Sequence, residues 1–287
     1  MAIGTRGLGL ATALIVLASL SACGSGTSAS STSSASGAAA LVPEDVRASG
    51  VLTFGVEPLG SPNEFLDAQG NLVGWDIEIA QAIAAKLNLK PEFEQTRFID
   101  VIPGVVSGKY DLGVNSFFDT KERQTQVDMV DYYRAGIQWA SRAGISVDPN
   151  NACGLTVAAQ TDTYQALVDL PAKSKACTDA GKPAIGVIEF VTQEEAAAAV
   201  VSGSADAYSC DLPITAYAVA QSNGKLQLAG DVYSIFFYGL PIPKGSPLAA
   251  PLKAALEEMI ADGTYIAILK KWNVEAGAVS EISINGG

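Results

Sequence analysis

The chain has 287 residues, which is enough for one or two domains with a substantial hydrophobic core. Its 30 acidic residues outnumber its 18 basic residues, and an acidic surface argues against binding to nucleic acid or to anionic lipid. The absence of histidine excludes hydrolysis by a nucleophile–histidine pair and removes the most common zinc ligand.

The N-terminal 22 residues have the pattern of a secretion signal. Arg6 supplies the positive charge, and the apolar run that follows is too short to span a bilayer. The run ends in the sequence LSAC, which resembles the bacterial lipobox, where the cysteine is acylated and becomes the new N-terminus. We therefore expect residues 1–22 to be a lipoprotein signal peptide and Cys23 to carry a lipid anchor. The alternative is an ordinary cleaved signal followed by a chance cysteine.

The next segment is composed almost entirely of small, uncharged residues. Residues 24–40 are nearly all Gly, Ser, Thr and Ala, a composition that cannot build a core of its own. We predict a flexible, lipid-anchored tether over residues 23–43, with the folded part beginning near residues 42–44.

Strands and helices alternate along the first half of the folded part. Apolar residues in 76–87 recur at helical spacing, and a hairpin-type turn at 67–71 precedes them. Asp119 or Thr120 could cap a further helix. Strands are predicted at 51–56, 91–95 and 112–114, and helices at 76–87 and 99–107.

The same alternation returns in the second half of the chain. Strands are predicted at 155–159, 184–188 and 206–208, and helices at 193–201, 213–221, 247–261 and 265–272. Alternation of this kind favours parallel sheets, and two such blocks without a linker suggest two α/β lobes. Ligands of such folds bind beyond the carboxyl ends of the strands.

Three cysteines remain in the exported part of the chain. Export implies an oxidising environment, in which a Cys153–Cys177 bridge would close a short loop around one strand and helix. Such a bridge stabilises by about 3–4 kcal/mol. We predict this pairing, with Cys210 unpaired and buried beside a strand, but the sequence alone does not decide between the possible pairings.

Several motifs together resemble one bacterial family. The chain carries FLDAQGNLVGWDIEIA at 65–80, IPGVVSGKYD at 102–111, TKER at 120–123, SADAY at 204–208 and DGTY at 262–265. In order and spacing these motifs resemble family 3 of the bacterial extracellular solute-binding proteins, which serve ABC importers of polar amino acids. The resemblance covers nearly everything from residue 44 to residue 287.

The resemblance implies an α/β fold of the type II periplasmic-binding class. In that fold two lobes are joined by two extended hinge strands and close on the ligand like a clamshell. Carried over to this chain, lobe 1 comprises residues 44–137 and 237–287, and lobe 2 comprises residues 138–236.

The resemblance also implies a pair of charged ligand-binding residues. Arg123 would grip the α-carboxylate of an amino acid through a bidentate pair, and Asp211 would receive its α-ammonium. Because the two charges come from opposite lobes, closure would require a ligand that carries both groups. On the residues alone, Arg123 could equally be an exposed helix arginine and Asp211 a helix cap.

Further positions match ligand contacts of the family. Asn115 and Ser116 would offer backbone and hydroxyl groups, and Phe98 would form an aromatic wall unless it only packs in the core. Thr163 would meet the carboxylate, although Asp162 stands where the family usually has glycine.

The chain also departs from the family pattern, and these departures leave the ligand's side chain open. The usual aromatic lid is missing at Gly60, and Phe118 or its neighbour could refill the space. Glu57 would suit a cationic side chain and Arg97 an acidic one, but the two could instead pair with each other.

The expected function is that of a substrate-binding lipoprotein of an ABC importer. It would bind a polar amino acid or a similar zwitterion as a monomer on the extracellular face of the cytoplasmic membrane, and deliver it to a permease. We expect no cofactor and no metal, because the acidic residues lack calcium-loop spacing and the cysteines are scattered. A membrane sensor subunit is one alternative. An exported dehydratase is another, with Glu57 as its only plausible acid or base.

Overall fold

The computed structural model describes residues 37–287. The expected signal peptide, most of the expected tether and Cys23 lie outside the described residues. None of the helices in residues 37–287 is both long and apolar enough to cross a membrane.

Helices and strands alternate along the described chain. The strands are β1 (Val51–Val56), β2 (Leu59–Gly60), β3 (Glu64–Leu66), β4 (Leu72–Val73), β5 (Lys90–Gln95), β6 (Leu112–Gly113), β7 (Phe117–Phe118), β8 (Val127–Arg142), β9 (Thr156–Gln160), β10 (Gly186–Phe190), β11 (Ala207–Asp211), β12 (Leu226–Pro243) and β13 (Ala278–Ile284). The α-helices are α1 (Glu44–Ser49), α2 (Trp75–Lys86), α3 (Phe98–Val106), α4 (Leu170–Asp179), α5 (Gln193–Ser202), α6 (Leu212–Gln221), α7 (Ala249–Ala261) and α8 (Thr264–Lys271).

Two sheets with parallel pairings confirm the expected α/β class. In the first lobe, β1 lies between β5 and β6 and is parallel to both. In the second lobe, β9 lies between β10 and β11 and is again parallel to both. The carboxyl ends of these strands carry most of the polar residues described below, as expected for parallel α/β units.

The two long strands β8 and β12 pair with each other along most of their lengths. One end of β8 also pairs with β11, and its other end pairs with β13. The β8–β12 register shifts between Ala229 and Tyr233, between Tyr233 and Phe236, and between Tyr238 and Gly239. Interrupted pairing bends and twists strands, which suits the two crossing strands of a two-lobed fold. These irregularities lie near the expected lobe boundaries, which remain a prediction.

The structure differs from the expected tether at its C-terminal end. Residues Gly37–Leu41 form a short 3-10 helix, and Ala38 and Val42 are buried. The backbone N–H of Ala38 donates to Glu258 Oε1 on α7 at 2.7 Å. Small residues that cannot form their own core can still fill a groove on an existing one, so the folded part already includes residue 37.

A second difference concerns the segment after Asp119. Instead of a capped α-helix, the structure has a single 3-10 turn, Arg123–Thr125. Asp119 is buried and accepts a hydrogen bond from Gln124 Nε2 at 2.8 Å, so its carboxylate is held by side-chain contacts. The turn brings Arg123 against β7 rather than along an exposed helix.

The expected disulfide is present. Cys153 and Cys177 are bonded, and the bridge ties the loop before β9 to α4. Cys210 on β11 is buried and forms no disulfide within the described chain.

Candidate functional site

A partly open cavity of about 40 Å³ lies between the two lobes. It is surrounded by the residues that follow the carboxyl ends of β1, β6, β9 and β11. Its lining comprises Glu57, Leu59, Gly60, Glu64, Phe98, Asn115, Ser116, Phe118, Arg123, Gln160, Thr163, Tyr164, Gln165, Gln193, Cys210, Asp211 and Ile214. The structure thus brings together all of the expected ligand-binding residues except Arg97.

Arg123 is held against two aromatic rings. Its guanidinium lies 5.5 Å from the ring centre of Phe98 and 5.1 Å from that of Phe117, and Nη1 donates to the carbonyl of Phe118 at 2.9 Å. Burial lowers the pKa of Arg123 to about 10, which leaves it positively charged at neutral pH. Within residues 37–287 this is the only side-chain hydrogen bond of Arg123, so its other donors can serve an anion.

Asp211 lies at the end of β11, directly before α6, and its side chain is buried. Its carboxylate accepts hydrogen bonds from Tyr238 Oη and from Gln165 Nε2, both at 2.5 Å. The carboxylate makes no capping hydrogen bond to α6, and Asp211 lines the cavity. Burial raises the pKa of Asp211 to about 6, although the two hydrogen bonds and the charge of Arg123 act against the rise.

Asn115 and Ser116 follow β6 and organise the wall of the first lobe. The Asn115 amide binds the backbone of Glu57 on both sides, accepting from its N–H and donating to its C=O at 3.2 Å. Ser116 has a φ of 49°, a left-handed conformation that turns the chain sharply after the strand.

Glu57 joins the two lobes directly. It follows β1, is half-buried, and its Oε2 accepts from Gln160 Nε2 of the second lobe at 3.1 Å. Burial raises the pKa of Glu57, and Asp162 adds to the rise. Gln160 is itself held by Gln193 at 2.7 Å. Neither glutamine was identified from the sequence, because their roles depend on contacts between elements that are distant along the chain.

Two buried carboxyl groups were also missed from the sequence. Glu64 lines the cavity, and Asp76 lies behind it at the start of α2. Burial raises the pKa of Glu64 well above its ordinary value and that of Asp76 to about 6. Glu64 carries no sequence signal of burial, since it lies in a short strand within a loop-rich segment.

Two phenylalanine side chains line the cavity. Phe118 lies at a position where the sequence departs from the family pattern, and Phe98 at a position that matches it. Phe118 is buried and packs against Tyr238 at 5.6 Å, Phe236 at 4.8 Å and Tyr164 at 5.9 Å between ring centres. Phe98 is half-buried and stacks on Phe117 at 4.6 Å. Phe118 therefore fills space with contacts to both lobes.

Thr163 and Arg97 differ in how they relate to the cavity. Thr163 lines it, and its hydroxyl donates to Gln160 O at 2.7 Å. Asp162 adopts a φ of 63°, the left-handed conformation for which the family uses glycine, so the turn before Thr163 is preserved. Arg97 is exposed, pairs with Asp100 at 2.7 Å and is not among the residues that line the cavity.

Comparison with known proteins adds independent information. The family model of bacterial extracellular solute-binding proteins, family 3, matches residues 52–275. The arginine-binding protein ArgT of Corynebacterium glutamicum is 35% identical over 248 residues, which cover 86% of this chain and 82% of ArgT. The glutamine-binding protein GlnH of Bacillus subtilis is 31% identical over 274 residues, covering 91% and 93%.

A solved structure of an ancestral arginine-binding protein bound to arginine has the same fold. It is 34% identical, with a TM-score of 0.70, and the match covers 78% of this chain and 98% of that protein.

Proposed function

This chain belongs to family 3 of the bacterial extracellular solute-binding proteins, and from that premise we propose that it captures a cationic amino acid for an ABC importer. The observation that carries the choice of a cationic ligand is the excess of carboxyl groups over basic groups in the cavity. Glu57, Glu64 and Asp211 line it, whereas Arg123 is the one basic residue among the lining residues.

An amino acid with a positive side chain fits this distribution of charge. Its α-carboxylate would bind Arg123, and its α-ammonium would bind Asp211. A second positive charge would then face the remaining acidic wall, which includes Glu57. A neutral amino acid would leave that wall without a partner, and an acidic one would be repelled by it. The named arginine-binding relatives support this assignment.

The other cavity residues would position the ligand. Asn115 and Ser116 supply polar groups from the first lobe, and the Thr163 hydroxyl does so from the second. Phe98 and Phe118 would pack against the aliphatic part of the side chain.

The cellular setting follows the expectations from the sequence. The protein would be exported, anchored through a lipid on Cys23, and would work as a monomer that docks on a membrane permease. Its relatives ArgT and GlnH are binding proteins, and we propose that this chain likewise releases its ligand unchanged rather than acting as an enzyme.

Thermal unfolding in the presence of single amino acids tests the proposal. L-Arginine, L-lysine and L-ornithine should raise the melting temperature of the purified protein more than L-glutamine, L-citrulline or L-glutamate. A ligand at 100 times its dissociation constant should stabilise the protein by about 2.7 kcal/mol. A larger shift with glutamate than with arginine, or no shift with any of the six, would contradict a cationic ligand.

A further inference from the structure

Gly60 leaves a gap in the wall of the cavity, and the Glu64 carboxylate occupies it. A Cβ atom on Gly60 would overlap Glu64 Oε1, so a larger residue at this position would require the carboxyl group to move. Glu64 itself is 2% exposed, yet it lines the cavity. An acidic group therefore stands where the family resemblance leads us to expect an aromatic lid.

One additional proton would satisfy all the contacts of the Ser116 hydroxyl. Ser116 Oγ accepts from Asn63 Nδ2 at 2.8 Å and lies 3.1 Å from Asp76 Oδ2 and 3.3 Å from Glu64 Oε2. A hydroxyl has one hydrogen, so it cannot donate to both carboxyl groups at once. If one carboxyl group is protonated, it donates to Ser116, which then donates to the other.

The remaining contacts identify the protonated partner as Glu64. Asp76 also accepts from Tyr132 Oη at 2.6 Å and from the Ser116 N–H at 2.9 Å, so three donors stabilise its anionic form. Glu64 accepts a single further bond, from Asn115 Nδ2 at 3.0 Å. Glu64 is thus the weaker anion of the pair.

The groups that face Glu64 from the surrounding elements also favour its neutral form. The charged ones that act on it are Asp76 at the start of α2 and Asp211 at the end of β11, and both are acidic. Tyr132 on β8 and Cys210 on β11 are neutral neighbours. Glu57 and Arg123 lie across the same cavity.

We propose that Glu64 is neutral in the ligand-free protein and releases its proton to solvent when the cationic end of the ligand's side chain lies against it in the cavity. The negative charge that remains on Glu64 then pairs with the positive charge of the ligand. Glu64 would therefore distinguish a cationic side chain from a neutral one of the same shape. This inference rests on the proposed binding of a cationic amino acid.

Titration calorimetry with L-arginine and with L-citrulline tests this proton release. The two ligands have nearly the same shape, but only arginine has a charged side chain. Measurements at pH 7 in phosphate and in Tris, which differ in ionisation enthalpy, give the number of protons released. We expect arginine to release about one proton more than citrulline. Equal numbers for the two ligands would overturn the inference, and this result needs no variant to fold.

The variant Glu64→Gln tests whether Glu64 discriminates between charged and neutral ligands or only supports the structure of the cavity. Glutamine keeps the size of a neutral carboxyl group but cannot ionise. It should weaken arginine binding by about ten- to a hundredfold, leave citrulline binding within about twofold, and abolish the extra proton release. Glu281→Gln, the same change at an exposed position, should alter none of these values. Equal losses for both ligands in Glu64→Gln would instead indicate a structural role and refute the proposal. Wild-type protein that binds neither ligand would refute the proposed function itself.

Discussion

Asp211 is the residue whose protonation should most directly limit ligand capture. Its carboxylate is buried with two hydrogen-bond donors and has a pKa raised to about 6, so it titrates close to physiological pH. The deprotonated form attracts an α-ammonium, and the protonated form does not.

Ligand affinity should therefore fall as the pH drops through 6. Below that value the free protein must lose a proton from Asp211 before it can bind, whereas at higher pH the carboxylate is already charged. Affinity should be about tenfold weaker at pH 5 than at pH 7, which titration calorimetry across this range would measure. With L-citrulline, whose uncharged side chain leaves Glu64 protonated, the Asp211 contribution is separated from that of Glu64.

Asp211→Asn provides the control for this effect. The amide has no proton to lose near pH 6, so citrulline affinity should be weak throughout and nearly independent of pH. If the variant retains the wild-type pH profile, the titrating group lies elsewhere in the molecule.

At the residue scale, the family resemblance predicted that Arg123 and Asp211 would bind the ligand, and both line the cavity. Arg123 lies in one of the family motifs, and Asp211 lies just after another. Gln165, which holds Asp211, and Glu64 were missed, because polar residues that become buried through long-range contacts leave no local pattern. Arg97 was expected near the ligand, but in the structure it forms an ion pair with Asp100, three residues later.

At the scale of the structural elements, a disulfide bond connects the loop before β9 to helix α4. The Cys153–Cys177 bridge spans 24 residues and restrains one side of the second lobe. Neither cysteine lines the ligand cavity, so the bridge should affect stability without affecting binding.

Replacement of both cysteines by serine should lower the free energy of unfolding by about 3 kcal/mol, because the unfolded chain regains the entropy of the open loop. Urea denaturation would measure the change. Ligand affinity should stay within about twofold of the wild type, and a larger loss would show that the bridge also shapes the cavity. Wild-type protein under reducing conditions is the matched control.

Most elements followed from sequence periodicity, and the exceptions have physical causes. Residues 37–43 were expected in a tether because their composition cannot form a core, but they pack on the surface of α7. The segment after Asp119 has capping residues typical of a helix, yet burial of Asp119 and contact with β7 restrict it to one 3-10 turn.

At the scale of the whole molecule, one of the side-chain contacts between the lobes is a hydrogen bond across the cavity. Gln160 Nε2 donates to Glu57 Oε2 at 3.1 Å, and Gln193 supports Gln160 from behind. A contact of this kind should favour the closed arrangement of the lobes, which a bound ligand would stabilise further.

Gln160→Ala should therefore shift the free protein towards a more open form. Small-angle X-ray scattering should show a larger radius of gyration without ligand and a wild-type value with saturating ligand. Affinity should fall by about two- to tenfold, because ligand must then supply the lost interaction. Gln69→Ala, the same change in an exposed turn of the first lobe, should behave as wild type. An unchanged radius for Gln160→Ala would indicate that this contact does not hold the lobes together.

The two-lobed architecture was only partly accessible from residue patterns. Alternating strands and helices predicted two parallel α/β blocks, which the structure confirms. The periodicity could not show that the chain crosses between lobes. The crossing depends on β8 and β12, whose pairing and register shifts are long-range features that leave no local pattern in the sequence. That expectation came from the family resemblance alone.

The position of Cys210 should allow the opening of the cleft to be followed by chemical labelling. Cys210 lines the cavity and also packs in the hydrophobic core of the second lobe, is 2% exposed, and has a pKa raised by burial, so it should be protected from alkylating reagents while the lobes are closed. A maleimide should reach it only after the contacts around it open. The labelling rate of the native protein therefore follows the frequency of opening, and a bound ligand slows it without an engineered cysteine or an attached dye.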